Sequence, residues 1–214
     1  MITVIKGDII NSRKVSNPEV WLSPLKTLLN QCGRTPKDWE IVWGDSFQLM
    51  LKKPAESLRN TIAIKSLIKG INSKGNNKNK SLLDVRMSIG IGHEGYTAKR
   101  ISESNGDAFI FAGENFENLK KEKNTLIIKT PWNDFDEEMN LYIKLINIIM
   151  DNWSISSAEL VKTVLQFPNA TQQEIGNILK IKQNSVSDRY KRARIEEISD
   201  VEKMFRKKLN KLLI

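Results

Sequence analysis

Apolar residues follow two different spacings along this chain, and the change from one to the other falls near residue 130. Before that point, apolar runs typical of strands alternate with segments in which apolar residues recur every three to four positions, as in amphipathic helices. After it, only the helical spacing continues. The pattern therefore predicts an α+β part followed by an all-α part.

The predicted strands are residues 2–10, 39–42, 47–51, 85–91 and 125–129. The predicted helices are residues 18–31, 55–72, 107–121, 134–152, 155–166, 171–180, 184–196 and 199–213. Residues 73–81, SKGNNKNKS, contain no apolar side chain, so we expect them to form a solvated loop. We predict one domain over residues 1–130, a connecting helix over 131–153 and a helical domain over 154–214.

Residues 171–194, TQQEIGNILKIKQNSVSDRYKRAR, have the pattern of two short helices joined by a tight turn. Apolar residues are predicted on one face of each helix: Ile175, Ile178 and Leu179 in the first, and Val186, Tyr190 and Ala193 in the second. Gly176 is expected where the two helices approach closely. Lys180 stands where such a turn often carries Gly. The segment is a predicted helix-turn-helix.

The polar positions of the second helix carry side chains that contact base edges and phosphates when a helix lies in the major groove. The candidate DNA-binding residues are Gln183, Asn184, Ser185, Ser187, Arg189, Lys191 and Arg192. Residues 171–194 contain six Lys or Arg and two acidic residues, so their field favours a polyanion. The alternative is a helical pair that makes protein contacts or a dimer. The run QNSVSDRYKRAR resembles the helix-turn-helix of sigma-factor region 4.

The formal net charge of +9 is consistent with a nucleic-acid or nucleotide partner. A single cysteine, Cys32, excludes an intrachain disulfide and has the spacing of a core residue. A single histidine, His93, argues against His-based zinc or triad chemistry. No signal-peptide pattern and no apolar run of about 20 residues is present, so we expect a cytoplasmic protein without a membrane partner.

Two aspartates are predicted to meet at one sheet edge, since Asp8 is near the end of the first strand and Asp45 is in the turn of a hairpin. Two adjacent carboxylates repel unless a cation lies between them, and oxygen ligands suit Mg²⁺ or Mn²⁺. The predicted metal-binding residues are Asp8, Ile9 and Asp45. The predicted nucleotide-binding residues are Asn11, Ser12, Arg13, Lys14 and Gly44. The alternative is that both aspartates are ordinary turn residues.

The segments KGDIINSR and WGDSFQLML, with 37 positions from Asp8 to Asp45, resemble the two metal-binding segments of class III nucleotidyl cyclases and diguanylate cyclases. RMSIGIGHEG and DAFIFAGENF resemble the next strand and helix of that family. The resemblance implies a ferredoxin-like, palm-like domain over residues 1–130. With the trailing helix-turn-helix, the whole chain is similar to the SatD family. Ile41 stands where adenine-selecting cyclases commonly carry Lys, and residues 107–121 contain no Arg for the transferring phosphate.

These features lead to three hypotheses. The first is a DNA-binding transcriptional regulator, acting as a homodimer, whose N-terminal domain senses a purine nucleotide or metal-nucleotide. The second is a metal-dependent nucleotidyl cyclase or related phosphoryl-transfer enzyme with a regulatory helical tail, for which no catalytic residue can be named. The third is a protein-interaction module with neither activity.

Overall fold

The structure is a computed structural model that describes residues 1–72, 81–121 and 124–213. Within those residues the chain forms five strands and eight α-helices, so it is an α+β protein. The strands are β1 Ile2–Ile10, β2 Trp39–Val42, β3 Ser46–Leu51, β4 Asp84–Gly92 and β5 Leu126–Lys129. The helices are α1 Glu19–Cys32, α2 Ser57–Lys69, α3 Asp107–Lys121, α4 Asn133–Asp151, α5 Ile155–Gln166, α6 Gln172–Leu179, α7 Gln183–Ala193 and α8 Ile195–Leu212. The predicted loop at 73–81 lies, except for Ser81, outside the described residues.

The strands form one mixed sheet in the order β2-β3-β1-β4-β5. All neighbours are antiparallel except β4 and β5, which are parallel. The central strand β1 pairs along its length with both β3 and β4. Its first four residues are buried, as expected for a strand with covered faces on both sides.

Helix α3 covers one face of the sheet, and two glycines of β4 allow its close approach. A Cβ on Gly90 would lie 2.2 Å from the Ala108 carbonyl oxygen, and one on Gly92 would lie 2.8 Å from the Ala108 amide nitrogen. Neither position can accept a larger side chain without moving the helix. Helices α1 and α2 contribute to the core on the other face.

Helix α4 satisfies the outer edge of β5 with two side chains. The Asn140 amide accepts a hydrogen bond from the Ile128 N–H and donates one to the Ile128 carbonyl, both at 2.9 Å. One turn earlier on α4, Asp136 accepts from the Thr130 N–H at 3.1 Å. These side chains take the place of a sixth strand.

One hydrophobic core extends from Ile5 in β1 to Leu209 in α8. Helix α5 packs on α2, and Arg59 of α2 donates to the Leu165 carbonyl at the end of α5, at 2.9 Å. In α8, Lys208 pairs with Glu138 of α4 at 2.6 Å. The helices after residue 131 therefore pack directly against the α+β part, and the division into two domains stays a prediction.

The C-terminal helices differ from the prediction at one boundary. The sequence predicts that the seventh helix continues to residue 196, but α7 ends at Ala193 and α8 begins at Ile195. Arg194 between them has left-handed backbone angles, φ 53° and ψ 47°. The Trp153 indole N–H donates to the Ala193 carbonyl at 3.0 Å and so satisfies one of the last carbonyls of α7. The spacing of apolar residues did not predict this break between α7 and α8, because the helical spacing continues across it.

A buried group of charges joins α2 to β4 and α4. The Lys65 side chain has no solvent exposure, and its ammonium lies 3.0 Å from Asp84 and 2.5 Å from Asp151. It also donates to the Thr125 hydroxyl at 2.8 Å. Lys69, one turn later, lies 3.0 Å from the second Asp84 oxygen. Two ammonium groups thus face two carboxylates, which is how a charge can be kept inside a protein.

Among the described residues, no helix has both the length and the apolar character needed to cross a membrane.

We predict that Lys65→Met lowers the free energy of unfolding by about 3 kcal/mol, because it removes one charge of a buried pair and leaves Asp151 without its closest cation. Urea unfolding followed by circular dichroism measures the change. The control is Lys203→Met, since Lys203 forms an exposed pair with Asp200 and should contribute less than about 1 kcal/mol. Equal, small effects of both substitutions would contradict this role for Lys65.

Candidate nucleic-acid interface and carboxylate pair

Helix α6 begins with a capping box. The Thr171 hydroxyl accepts a hydrogen bond from the Glu174 N–H at 3.3 Å, and the Glu174 carboxylate accepts from the Thr171 N–H at 2.7 Å. The hydrogen bonds from the Thr171 backbone and hydroxyl lower the pKa of Glu174. Two N–H groups that would otherwise lack partners are thereby satisfied, and the start of α6 is fixed.

The turn between α6 and α7 is tight, with three residues between the two helices. Lys180 ends α6 in the left-handed region, with φ 54° and ψ 44°, and the Ile181 N–H donates to the Gly176 carbonyl at 2.9 Å. A Cβ on Gly176 would lie 2.8 Å from the Ile181 carbonyl oxygen, so the predicted close approach is to the turn itself. Lys180 thus has the left-handed backbone conformation that Gly most often supplies after a helix.

The apolar residues of this unit mostly occupy the predicted positions. Ile175, Val186 and Ala193 are fully buried, and Tyr190 is half-buried, which raises the pKa of its hydroxyl by desolvation. Ile178 differs from the prediction, since it is 47% exposed. In an eight-residue helix the buried face is narrow, and Ile175 already fills it.

The predicted DNA-binding residues of α7 divide into an open set and a packed set. Five are exposed: Gln183, Asn184, Ser185, Lys191 and Arg192. Ser187 is half-buried. Arg189 has a side chain that is 18% exposed and lies 3.3 Å from Glu159 of α5. The structure therefore holds Arg189 in an ion pair within the helical unit.

Two further exposed lysines, Lys180 and Lys182, lie just before α7. The sequence prediction did not include them because it considered only positions inside the second helix. The sequence KIK at 180–182 could have indicated them, because it places a lysine on each side of the apolar turn residue Ile181. With Lys191 and Arg192 near its other end, α7 has cations beside both termini.

The second candidate site is the end of the sheet that contains the C-terminal end of β1 and the turn of the β2–β3 hairpin. Asp8 is paired with Ser46 of β3 and Arg86 of β4, and its carboxylate lies 3.5 Å from the Arg86 guanidinium. Asp45 lies in the hairpin turn, where its carbonyl accepts from the Ile9 N–H at 3.0 Å. The two aspartates thus occupy the same end of the sheet.

Each carboxylate already has a protein neighbour. Asp45 accepts a 2.6 Å hydrogen bond from the Ser12 hydroxyl, while Asp8 is held beside Arg86. The side chain of Ile9 is buried in the core, so only its backbone could contribute to a metal site. No group of three or more His, Cys, Asp or Glu in the described part of the chain is placed to hold a metal ion. These donors fit a divalent cation only if ligand oxygens complete its coordination shell.

The predicted phosphate-binding residues surround this end of the sheet. Asn11 has a left-handed backbone, φ 63°, and its amide donates to the Leu82 carbonyl at 3.0 Å. The next three residues form a 3₁₀ turn in which Arg13 and Lys14 are exposed. Gly44 has φ 85° and open space where a Cβ would be. Both cations are therefore accessible to an anion.

Sequence reasoning missed two polar neighbours of Asp8 on the same face of the sheet. Gln48 is paired with Lys6, and Arg86 with Asp8. The Gln48 Oε1 and Arg86 Nε atoms are buried without a hydrogen-bond partner among the described residues. The available signal was the occurrence of polar residues at alternate positions in three neighbouring strands.

Scanned against models of protein families, the chain matches none, and a search of curated proteins finds no match either.

We predict that Lys180→Gly raises the free energy of unfolding by about 0.5–1 kcal/mol. A non-glycine residue in the left-handed region costs about 1–2 kcal/mol, and the greater freedom of Gly in the unfolded chain offsets part of the gain. Thermal unfolding compares this variant with Lys180→Ala, which removes the same charge but keeps the Cβ and should not be stabilised. A destabilised Lys180→Gly variant would show that the turn conformation is not strained.

Proposed function

We propose that this protein is a DNA-binding regulator that reads the major groove with α7, and that the sheet end around Asp8 and Asp45 binds a metal-nucleotide. The observation that carries the proposal is the α6-turn-α7 geometry together with the exposed polar start of α7. The homodimer predicted from the sequence belongs to the proposal, because dimeric helix-turn-helix proteins read two half-sites.

The surface of α7 supports DNA as the partner. Gln183, Asn184 and Ser185 are exposed in the first turn of the helix, which is the part that contacts base edges when such a helix enters the groove. Lys191 and Arg192 are exposed near the other end, where they would meet phosphates. Arg189, which pairs with Glu159, would hold α7 against α5 and would not contact DNA. Asp188 is exposed between the two sets and limits the local positive charge.

The strand arrangement supports a palm-like interpretation of the α+β part. Strands β1 to β4 and the helices α1 and α2 follow the order βαββαβ, and the sheet order β2-β3-β1-β4 places the hairpin beside the first strand. This arrangement brings Asp8 and Asp45 to one end, as the proposed metal-nucleotide site requires. Asp8, Asp45 and the Ile9 backbone would hold the ion, and Arg13 and Lys14 would attract the phosphates.

The second candidate function is nucleotidyl transfer at the same sheet end. A bound Mg²⁺ or Mn²⁺ would supply charge stabilisation to the transferring phosphate. The Arg86 guanidinium lies 3.5 Å from the Asp8 carboxylate and is therefore already used in an ion pair. Helix α3 contains no Arg, so a sensor that binds without turnover is favoured over an enzyme.

We predict that Arg192→Ala weakens binding to short duplexes and reduces the slope of log K against log salt concentration by about one, because one phosphate contact is lost. Fluorescence anisotropy at several salt concentrations measures both. Lys203→Ala is the matched control, since it removes an exposed charge from α8. Asn184→Ala should instead change the preferred sequence, at about 1–3 kcal/mol per base contact.

If the helix pair serves protein contacts instead, DNA binding will be absent even at about 50 mM salt, where phosphate contacts are strong. Arg192→Ala would then change the oligomeric state or the stability of the protein. Light scattering and thermal unfolding of the same two variants distinguish these outcomes.

We predict that Asp45→Asn abolishes most of the thermal stabilisation by ATP or GTP with Mn²⁺, while DNA binding without nucleotide is unchanged. The Asn side chain can still accept the Ser12 hydrogen bond, so the fold of the turn is retained while a charge on the ion is lost. A ligand at 100 times its Kd stabilises by about 2.7 kcal/mol, which a thermal shift resolves. Asp200→Asn on α8 is the control.

Product formation in the same samples would identify an enzyme. Stabilisation without product supports the sensor. Equal stabilisation of the wild type and the Asp45→Asn variant would exclude the proposed metal site.

A further inference from the structure

A groove of about 750 Å³ lies between α1, α2 and the C-terminal end of α5. Its volume is within the range of small-molecule sites. It shares no residue with the sheet end around Asp8 and Asp45, and none with α7. Its walls come from both parts of the chain, since α5 is the first helix after the connecting helix α4.

The charge of the groove is entirely positive. Arg59 of α2 and Lys162 of α5 line it, and none of its described lining residues is Asp or Glu. Arg59 is oriented by its 2.9 Å hydrogen bond to the Leu165 carbonyl. Lys162 is half-buried and has no ion pair or hydrogen bond within the described residues. Two cations facing one groove without a carboxylate attract an anion.

The floor of the groove is apolar. Leu28 of α1 and Ala63 and Leu67 of α2 line it, and all three are half-buried. Phe167, just after α5, lies at the rim and is 47% exposed. A ligand that covered these side chains would remove apolar surface from water, which is favourable in proportion to its area.

Two uncharged polar side chains of the groove already form hydrogen bonds within their own helices. Thr27 donates to the Ser23 carbonyl of its own helix at 3.0 Å, and Asn60 donates to the Glu56 carbonyl at 2.9 Å. Both side chains are therefore used locally. The side chains of Ser23, Gln31 and Gln166 also line the groove but carry no charge, so the positive charge available to an anion belongs to Lys162 and Arg59.

We propose that this groove binds a small organic anion with an apolar or aromatic body. Its carboxylate, phosphate or sulfonate group lies between Lys162 and Arg59, and its body covers Leu28, Ala63 and Leu67. Such a ligand contacts α2 and α5 together, so it strengthens the contact between the sheet and the helical unit. This site is independent of the proposed metal-nucleotide site.

The test uses the chain of residues 1–214 and the fluorescent probe 8-anilinonaphthalene-1-sulfonate, an aromatic anion. We expect saturable binding that Lys162→Gln weakens about tenfold, as expected when a charged hydrogen bond to a ligand is lost. Lys144→Gln, which removes an exposed charge from α4, is the matched control and should bind as the wild type does. The uncharged analogue N-phenyl-1-naphthylamine should bind the wild type at least about tenfold more weakly.

Wild-type affinity of the probe for Lys162→Gln overturns the proposal. So does equal affinity for the two probes, because the groove would then be recognising apolar surface alone. Lys162 is chosen because its side chain has no structural bond to lose. Circular dichroism of each variant confirms that it is folded, and the Mn²⁺-nucleotide assay, run in parallel, reports separately on the other site.

Discussion

The Lys65 ammonium, enclosed between Asp84 and Asp151, is the interaction on which the joining of the two parts depends. Lys65 belongs to α2, which packs on the sheet. The two carboxylates that pair with it belong to Asp84 at the start of β4 and Asp151 at the end of α4. Removing the Lys65 charge leaves Asp84 with Lys69 but takes from Asp151 its closest cation, at 2.5 Å. The geometry of these three elements is therefore fixed together, and α5 continues from α4 in a set position against α2.

Much of the secondary structure could be predicted because it rests on local periodicity. The central strand at Ile2–Ile10 and the helix at Asp107–Lys121 were predicted at their observed bounds. The buried lysines could not be found in this way, because Lys65 occupies an apolar position of α2 and its partners are 19 and 86 positions away in sequence. The break at Arg194 also depends on a distant residue, the indole of Trp153.

The candidate sites were predictable as far as they depend on turns and exposed polar positions. Thr171 and Gly176 define the first helix and its turn, and both behave as their residue types suggest. The ion pair of Arg189 with Glu159 was not predictable, since it requires knowing how α5 crosses α7. The polar neighbours of Asp8 alternate along their strands, but which of them meet depends on the pairing of β1 with β3 and β4, whose residues are about 40 and 80 positions away in sequence.

The two side chains of α4 that bond the outer edge of β5 have a consequence for assembly. A sheet grows by adding a strand where backbone N–H and C=O groups are open, and Asn140 and Asp136 occupy those groups at residues 128 and 130. Strand addition from another polypeptide is therefore blocked at these two positions of the β5 edge. Helix α4 thus limits growth of the sheet at this edge with two side chains instead of with the backbone of another strand.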